Sequence, residues 1–578
     1  MTGSKGNTEG SKPAHKMKIE KDIFIPARDG VRLAADIYRP DAKGKFPALL
    51  AFSPFSKELQ GLVLTFPPQN RPNVLWDGSI EAGDPAYTVP RGYVHVIADS
   101  RGTGSSEGEY DSFGGIGKRS KIGKDGYDMI EWIAEQEWCD GNVGMIGISI
   151  FAMAQILTAA EQPPHLKAIF PSGGWYDVYR TNWHGGIFWL MARAAIDGRG
   201  GDSGFAWGNP VSSTEQALGK EGFAELIEKR LADPDIKNYP NFFYMLKHPK
   251  QTPVFLDLLL NDYDGPYYWE GEGSTKFDKV KVPVYTGVNW GRPWFVDEAF
   301  DCYQGVQGPK KILMAPLPPM VDRPFHEHHE EIIRWYDHWL KGIDTGMMDE
   351  PPIKMFVGGT REWRFEEEWP LARTKWQDFF LRPRNRISEE PEAMDTDSVP
   401  PDGFYQAPLR VSDVIGVVKY ATGPLPAELE ITGPCALYLY AAIDTDDTNW
   451  MAKLLDVAPT GKATEITTGW LKASHREIDA AKSKPWQPHH PHTKSDPVTP
   501  GEIYEYAIWM GQISNVFRKD HRIQLEIRSV EAADDPHVAL MAPDSFHLNS
   551  SRATCHKIYR DRKYPSRLVL PVIPAKKS

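Results

Sequence analysis

Cysteine is scarce in this chain. There are four in 578 residues, Cys139, Cys302, Cys435 and Cys555, and no two form a CxxC pair. Neither a disulfide framework nor a zinc site is indicated. Residues 1–16 are rich in Gly, Ser and Lys and lack a hydrophobic stretch. They read as a disordered tail, not as a signal peptide or a membrane anchor. Long basic runs with interleaved aromatics are also missing, and 66 basic against 78 acidic side chains leave a net charge of −12. That balance argues against nucleic acid as a partner. The expectation is a soluble, cytoplasmic protein with a small-molecule partner and no metal or organic cofactor; homo-oligomerisation stays open.

Core-forming residues are plentiful: 41% of the chain is apolar, with 19 Trp, 23 Tyr and 25 Phe. At this length two or three domains are expected. Residues 19–26 and 31–38 flank the turn signal Ala27-Arg28-Asp29-Gly30, as in a hairpin. Short apolar runs at 46–52, 93–98, 143–148, 166–170, 282–286 and 311–315 alternate with helical patterns such as 127–136 and 330–341. Strands alternating with helices imply an α/β domain with a largely parallel sheet covered on both faces. Its expected extent is 17–182 and 269–373. Residues 183–268 break the rhythm and read as a helical cap insertion. Its Trp183, Trp189, Phe205, Trp207, Phe242 and Tyr244 suit either a pocket lining or a subdomain core. Beyond residue 374, short alternating segments between Gly/Pro/Asp turns point to an all-β sandwich or jelly roll over 374–578. His489, His490 and His492 fall in a Pro-rich stretch with no carboxylate or cysteine at ligand spacing, and read as a solvated loop.

One stretch carries chemistry. An apolar, strand-like run enters Gly147-Ile148-Ser149-Ile150-Phe151 and leaves as a buried-helix pattern to Ala160. A serine at such a turn sits on a sharp bend that presents its hydroxyl to a ligand. The following helix start offers backbone N–H groups, that of Ile150 first, where negative charge develops in acyl transfer. This is the pattern of a nucleophile elbow, except that G-x-S-x-G has Phe151 at its fifth position. An ordinary serine N-cap is the alternative.

Four further motifs, in order, resemble the cocaine-esterase-like hydrolases, which are related to X-Pro dipeptidyl-peptidases and α-amino-acid ester hydrolases. Asp99-Ser-Arg-Gly-Thr-Gly-Ser-Ser-Glu-Gly108 is similar to that family's loop after the strand. Asp125-Gly-Tyr-Asp-Met-Ile-Glu-Trp132, with Trp138-Cys-Asp-Gly-Asn-Val-Gly-Met145, resembles its approach to the nucleophile. Arg334-Trp-Tyr-Asp-His-Trp-Leu-Lys-Gly342 and Lys563-Tyr-Pro-Ser-Arg-Leu-Val-Leu-Pro571 resemble the ends of its two domains. The resemblance implies an α/β-hydrolase fold with a helical cap insertion and a C-terminal jelly roll.

It also implies a triad whose supporting positions are altered here. Where the family has an aspartate in G-W-x-D, this chain has Asn289-Trp290-Gly291-Arg292. Where the family has a histidine in G-P-W-x-H, it has Ala315-Pro316-Leu317-Pro318-Pro319. Phe55, after Pro54, stands where a tyrosine hydroxyl commonly serves the oxyanion hole, and Ile150 replaces a tyrosine. Serine chemistry needs a base held by a carboxylate. The expected set is therefore Ser149 as nucleophile, the Ile150 N–H as oxyanion donor, His326 or His328 as base, and Asp297 or Asp322 as orienting carboxylate, with His326 and Asp297 preferred. Phe55, Arg292, Trp183 and Trp189 would border the pocket. The expected activity is cleavage of an ester or amide with a bulky hydrophobic acyl group. The alternative is a hydrolase fold repurposed to bind or transform an apolar small molecule without an acyl-enzyme.

Overall fold

The computed structural model describes residues 9–64, 80–110, 121–189, 209, 211–237, 239–250, 253–290, 293–316, 325, 327–395, 398–531 and 547–575. Strands β1 (Met17–Pro26) and β2 (Arg32–Pro40) pair antiparallel across a turn in which the Gly30 N–H donates to the Ala27 carbonyl. The apolar runs form β3 (Phe46–Ser53), β4 (Val94–Asp99), β5 (Cys139–Ile148) and β6 (Leu166–Ser172). Two short strands, β7 (Trp183–His184) and β8 (Ile187–Phe188), make a separate ribbon. Then follow β9 (Val284–Asn289), β10 (Lys310–Ala315), β11 (Ile353–Val357) and β12 (Glu362–Glu366). The main sheet has the order β1-β2-β4-β3-β5-β6-β9-β10-β11-β12. Pairing is parallel from β4 through β11 and antiparallel at both margins. Every residue of β4 and β9 is buried, as strands covered on both faces require.

Helices cover the sheet at close range. Ile122–Ala134 approaches Ile150–Ala160 so tightly that a Cβ on Gly126 would lie 1.9 Å from Thr158 Oγ1. Between β6 and β9 the chain runs through β7, β8 and helices including Ser213–Ala232, Pro240–Lys247 and Pro253–Leu260. Phe223, Phe242 and Leu256 of this insertion belong to the same apolar cluster as Ile148 and Phe151, so among the described residues the insertion shares the core of the α/β domain. Phe242 is fully buried, whereas Tyr244 is exposed; Phe205 and Trp207 lie outside the described residues.

The segment after residue 374 forms an eleven-stranded sheet with a core of its own, built around the antiparallel pair Leu429–Ile443 and Tyr504–Phe517. It is a β-rich domain, docked through Gly358, which bridges Asn515. The Pro-rich stretch is a largely exposed loop, as expected, but two of its histidines are engaged by neighbouring groups. The His490 ring sits between the carbonyls of Glu477 (2.8 Å) and Ala507 (2.7 Å), and His492 Nδ1 lies 3.1 Å from His475 Nδ1.

The N-terminus differs from expectation. Of residues 9–16, expected to be part of a disordered tail, Gly10 and Ser11 lie against the helix His329–Lys341, with Gly10 buried, and Ala14 and His15 bond to Pro90. The reason is local: backbone N–H groups of Gly10 and Ser11 reach the carboxylates of Glu330 and Asp337.

Candidate active site

Ser149 stands between β5 and the helix Ile150–Ala160 with φ 60° and ψ −119°. A non-glycine residue holds that conformation only when its surroundings impose it. Here β6 holds it from one side, where the Ser149 N–H donates to the Ser172 carbonyl at 2.9 Å. The helix pulls from the other. Phe151 packs over Gly147, whose φ is 143° and whose Cβ would fall 2.3 Å from Phe151 Cβ. The departure from G-x-S-x-G is thereby accounted for: the space is supplied by the first glycine, and Phe151 fills it. The Ser149 hydroxyl makes no bond to its own helix. That removes the N-cap alternative, in which the side chain satisfies an N–H of the first turn.

Gln155 locks the elbow from below. Fully buried, it donates to the Gly147 carbonyl at 3.2 Å and accepts from the Phe170 N–H at 2.9 Å, tying the helix to β5 and β6. A lone amide in an otherwise apolar helix is the sequence signal that marks Gln155. The Asp99–Gly108 loop proves to be scaffolding. The Asp99 carboxylate accepts the N–H groups of Lys57 (2.7 Å) and Ser105 (2.8 Å), and burial raises its pKa to about 6. Arg101 of that loop pairs with Asp125 at 2.6 Å, joining two of the sequence motifs.

Ile150 is the first residue of the helix and 2% exposed, so its N–H is one of the donors that an α-helix leaves without an intrahelical acceptor. Phe55, just beyond β3, is buried in the same apolar cluster as Ile150 and supplies no hydroxyl.

Of the residues expected to support Ser149, His326, Arg292 and Asp322 lie outside the described residues. Asp297 has a different partner from the one expected. It lies on the helix Pro293–Gly305, and its Oδ2 accepts the indole N–H of Trp509, in the β domain, at 2.5 Å. Burial raises its pKa to about 7. Its partner is thus an indole of the β domain and not the histidine expected.

His328 lies elsewhere. It borders a cavity of about 10 Å³ at the C-terminal ends of β6, β9 and β10, together with Ser172, Asn289, Ala315 and Phe325. Such a space holds about one water. Ser172, whose carbonyl accepts the Ser149 N–H, thus lines the same cavity as His328. His329 instead stacks on Tyr87, with 4.1 Å between ring centroids.

The two tryptophans are structural in their contacts. Trp183 stacks on Tyr179 and donates to Tyr268 Oη at 3.2 Å, bordering a cavity of about 230 Å³ between the helical insertion and the β domain. Trp189 is 2% exposed and packs edge-on to Trp175. Beside them lies a chain of buried groups that no local pattern in the sequence marks. His184 Nδ1 is 2.7 Å from His547 Nε2, and His547 Nδ1 is 3.0 Å from Glu531.

Residues 29–318 match the model of the X-Pro dipeptidyl-peptidase (S15) family. The chain belongs to that family. Residues 345–569 match the X-Pro dipeptidyl-peptidase C-terminal non-catalytic domain. Cocaine esterase of Rhodococcus sp. (strain MB1 Bresler) is 27% identical, over 96% of this chain and 98% of its own length. Among solved structures, a CocE/NonD family hydrolase from Staphylococcus aureus superposes with a TM-score of 0.74 at 20% identity, covering 96% of this chain and 94% of that one. An α-amino acid ester hydrolase gives 0.73 at 17% identity, covering 96% and 97%. The fold is thus that of the α/β hydrolases with a β-rich C-terminal domain, and the relatives are serine esterases and peptidases. Among the described residues, no helix is long and apolar enough to cross a membrane.

Proposed function

We propose that this chain is a serine hydrolase that cleaves esters or amides with a bulky hydrophobic acyl group, through an acyl-enzyme on Ser149. The observation that carries the reading is the strained Ser149 elbow, whose hydroxyl is withheld from its own helix. Ser149 Oγ attacks the substrate carbonyl carbon as an imidazole takes its proton. The carbonyl oxygen becomes an oxyanion beside the Ile150 N–H. Collapse expels the alcohol or amine, which takes the proton from the imidazolium. Water then attacks the ester by the same steps in reverse, returning the hydroxyl.

Two histidines compete for the role of base. His326 is favoured by the sequence pattern; His328 is favoured by its place beside Ser172 and Asn289. Asp297, already bonded to Trp509, acts in this reading as a domain clamp, so the triad is atypical in its carboxylate as well. Phe55 and Ile150, with Trp175 in the same apolar cluster, support an apolar acyl group. Residues 183–268 act as the cap, the C-terminal sheet is read as a jelly roll on its antiparallel pairs, and the protein acts in the cytoplasm.

The test is hydrolysis of aryl esters of increasing acyl size by wild type, His326→Ala and His328→Ala. Removing the true base lowers kcat by about 10³-fold or more while the other substitution leaves it within about tenfold. Equal, small effects of both would remove this segment from the mechanism.

A further inference from the structure

The helix His329–Lys341 begins immediately after His328, one of the two histidines proposed as base, so whatever fixes its first turn also fixes His328. That turn is entered under strain. Phe325 has φ 78° and is 2% exposed, wedged edge-on against the Phe170 ring with 5.7 Å between centroids. The His328 N–H closes the turn onto the Phe325 carbonyl at 2.9 Å. A bulky residue in left-handed backbone stays there only while neighbouring structure holds it.

The chain's own first residues supply much of that hold. The Gly10 N–H bonds to Glu330, the second residue of the helix, whose carboxylate also accepts the Tyr87 hydroxyl at 3.2 Å. Ser11 donates its N–H and its hydroxyl (2.8 Å) to Asp337. Asp337 is fully buried and also accepts from Tyr93 Oη (2.6 Å) and Lys341 Nζ (2.8 Å). Lys341 Nζ in turn reaches Ser11 Oγ at 3.0 Å. Farther along, the Ala14 N–H donates to the Pro90 carbonyl at 2.7 Å, anchoring the segment ahead of β4. Contact is close: a Cβ on Gly10 would lie 2.4 Å from Ile333 Cγ2. Only glycine fits there, and a larger residue must lift the segment off the helix.

We propose that residues 10–14 are a strap that positions His328, as the catalytic base, ahead of the helix His329–Lys341, with Gly10 and Ser11 as its positioning residues. The inference rests on the reading of Ser149 as an activated nucleophile, and it makes activity responsive to anything that lifts or removes the strap. Lifting it leaves the buried Asp337 short of two donors and frees Glu330. The strained turn then relaxes and His328 leaves its place at the cavity it shares with Ser172, while the sheet, the elbow and the substrate pocket stay in place.

The experiment is fluorophosphonate labelling of Ser149 in the full-length protein, with the limiting rate and the half-saturating probe concentration measured separately. Gly10→Leu is expected to lower the limiting rate at least tenfold with half-saturation unchanged and the far-UV spectrum native. Ser11→Ala, a milder change that retains the fold, is expected to lower it about threefold, and Ser11→Thr, which keeps the hydroxyl, to restore it. If Gly10→Leu does not fold, the Ser11 pair decides. Labelling of folded variants at the wild-type rate overturns the strap while leaving the hydrolase reading intact. A loss confined to probe affinity, or one that Ser11→Thr fails to restore, overturns it as well. A folded wild type that is not labelled at all overturns the hydrolase reading and the strap together.

Discussion

Gly147 and Phe151 show how a single pair of residues can be read from sequence and still be misjudged. The pattern search sees Phe151 as a fault in the elbow, whereas the packing shows it filling the space above Gly147. Gly147→Ala should therefore be costly, by about 2–3 kcal/mol, because the new methyl meets Phe151 at 2.3 Å in a backbone conformation that disfavours a side chain. Urea unfolding midpoints measure it, and a midpoint equal to wild type would mean the elbow is looser than described. Phe55 carries a prediction of the opposite sign. If it stands at the oxyanion position, Phe55→Tyr supplies a missing donor, and kcat on aryl esters should rise about tenfold or more. No gain would mean that the ring points elsewhere. Ser149 was legible in the sequence because an elbow needs a strand, a tight turn and a helix within a few residues. The base was not, because the order of residues after β10 departs from the family pattern and says nothing of which histidine faces the serine.

At the level of elements, the helix Pro293–Gly305 shows the limit of reading one segment by itself. Asp297 looked like an orienting carboxylate from its place after β9, yet its donor, Trp509, is 212 residues away in another domain. No local pattern encodes that pairing, nor the link between His184 and His547 across 363 residues. Eight of the ten strands of the main sheet, by contrast, were placed from their own patterns to within a few residues; β11 and β12, at its margin, were not singled out. The clamp has a pH signature. Burial raises the Asp297 pKa from 3.8 to about 7 in the fold. Between those values the folded state holds a proton that the unfolded state has lost, so stability falls as pH rises from about 4 to 7 and then levels. Asp297→Asn keeps an acceptor for the indole and removes the titration. Relative to wild type it should gain stability progressively over that window, as read from melting temperatures at matched ionic strength. A constant difference across the window would show that Asp297 stays ionised.

Across the whole molecule, the two domains are not independent bodies joined by a linker. The main apolar cluster includes Met451, Trp470, Leu548 and Ile573 from the β domain beside Trp294 and Phe295 from the α/β domain. Trp369 reaches across to Gln512, and Trp509 to Asp297. Residues 1–373 expressed alone should therefore expose a large apolar face and bind a hydrophobic dye or aggregate, unlike the intact chain. A monomeric, dye-silent fragment would show that docking is dispensable for the α/β core. The two-domain plan could be read from the change of periodicity near residue 374; the shared interface could not, since its residues look like ordinary core. Everything functional nonetheless converges on whether Ser149 is activated. The most direct measurement is the intact mass of the protein after exposure to a fluorophosphonate, beside Ser149→Ala. The account predicts one adduct per chain in the wild type and none in the variant; a well-folded wild type that gains no mass would contradict it.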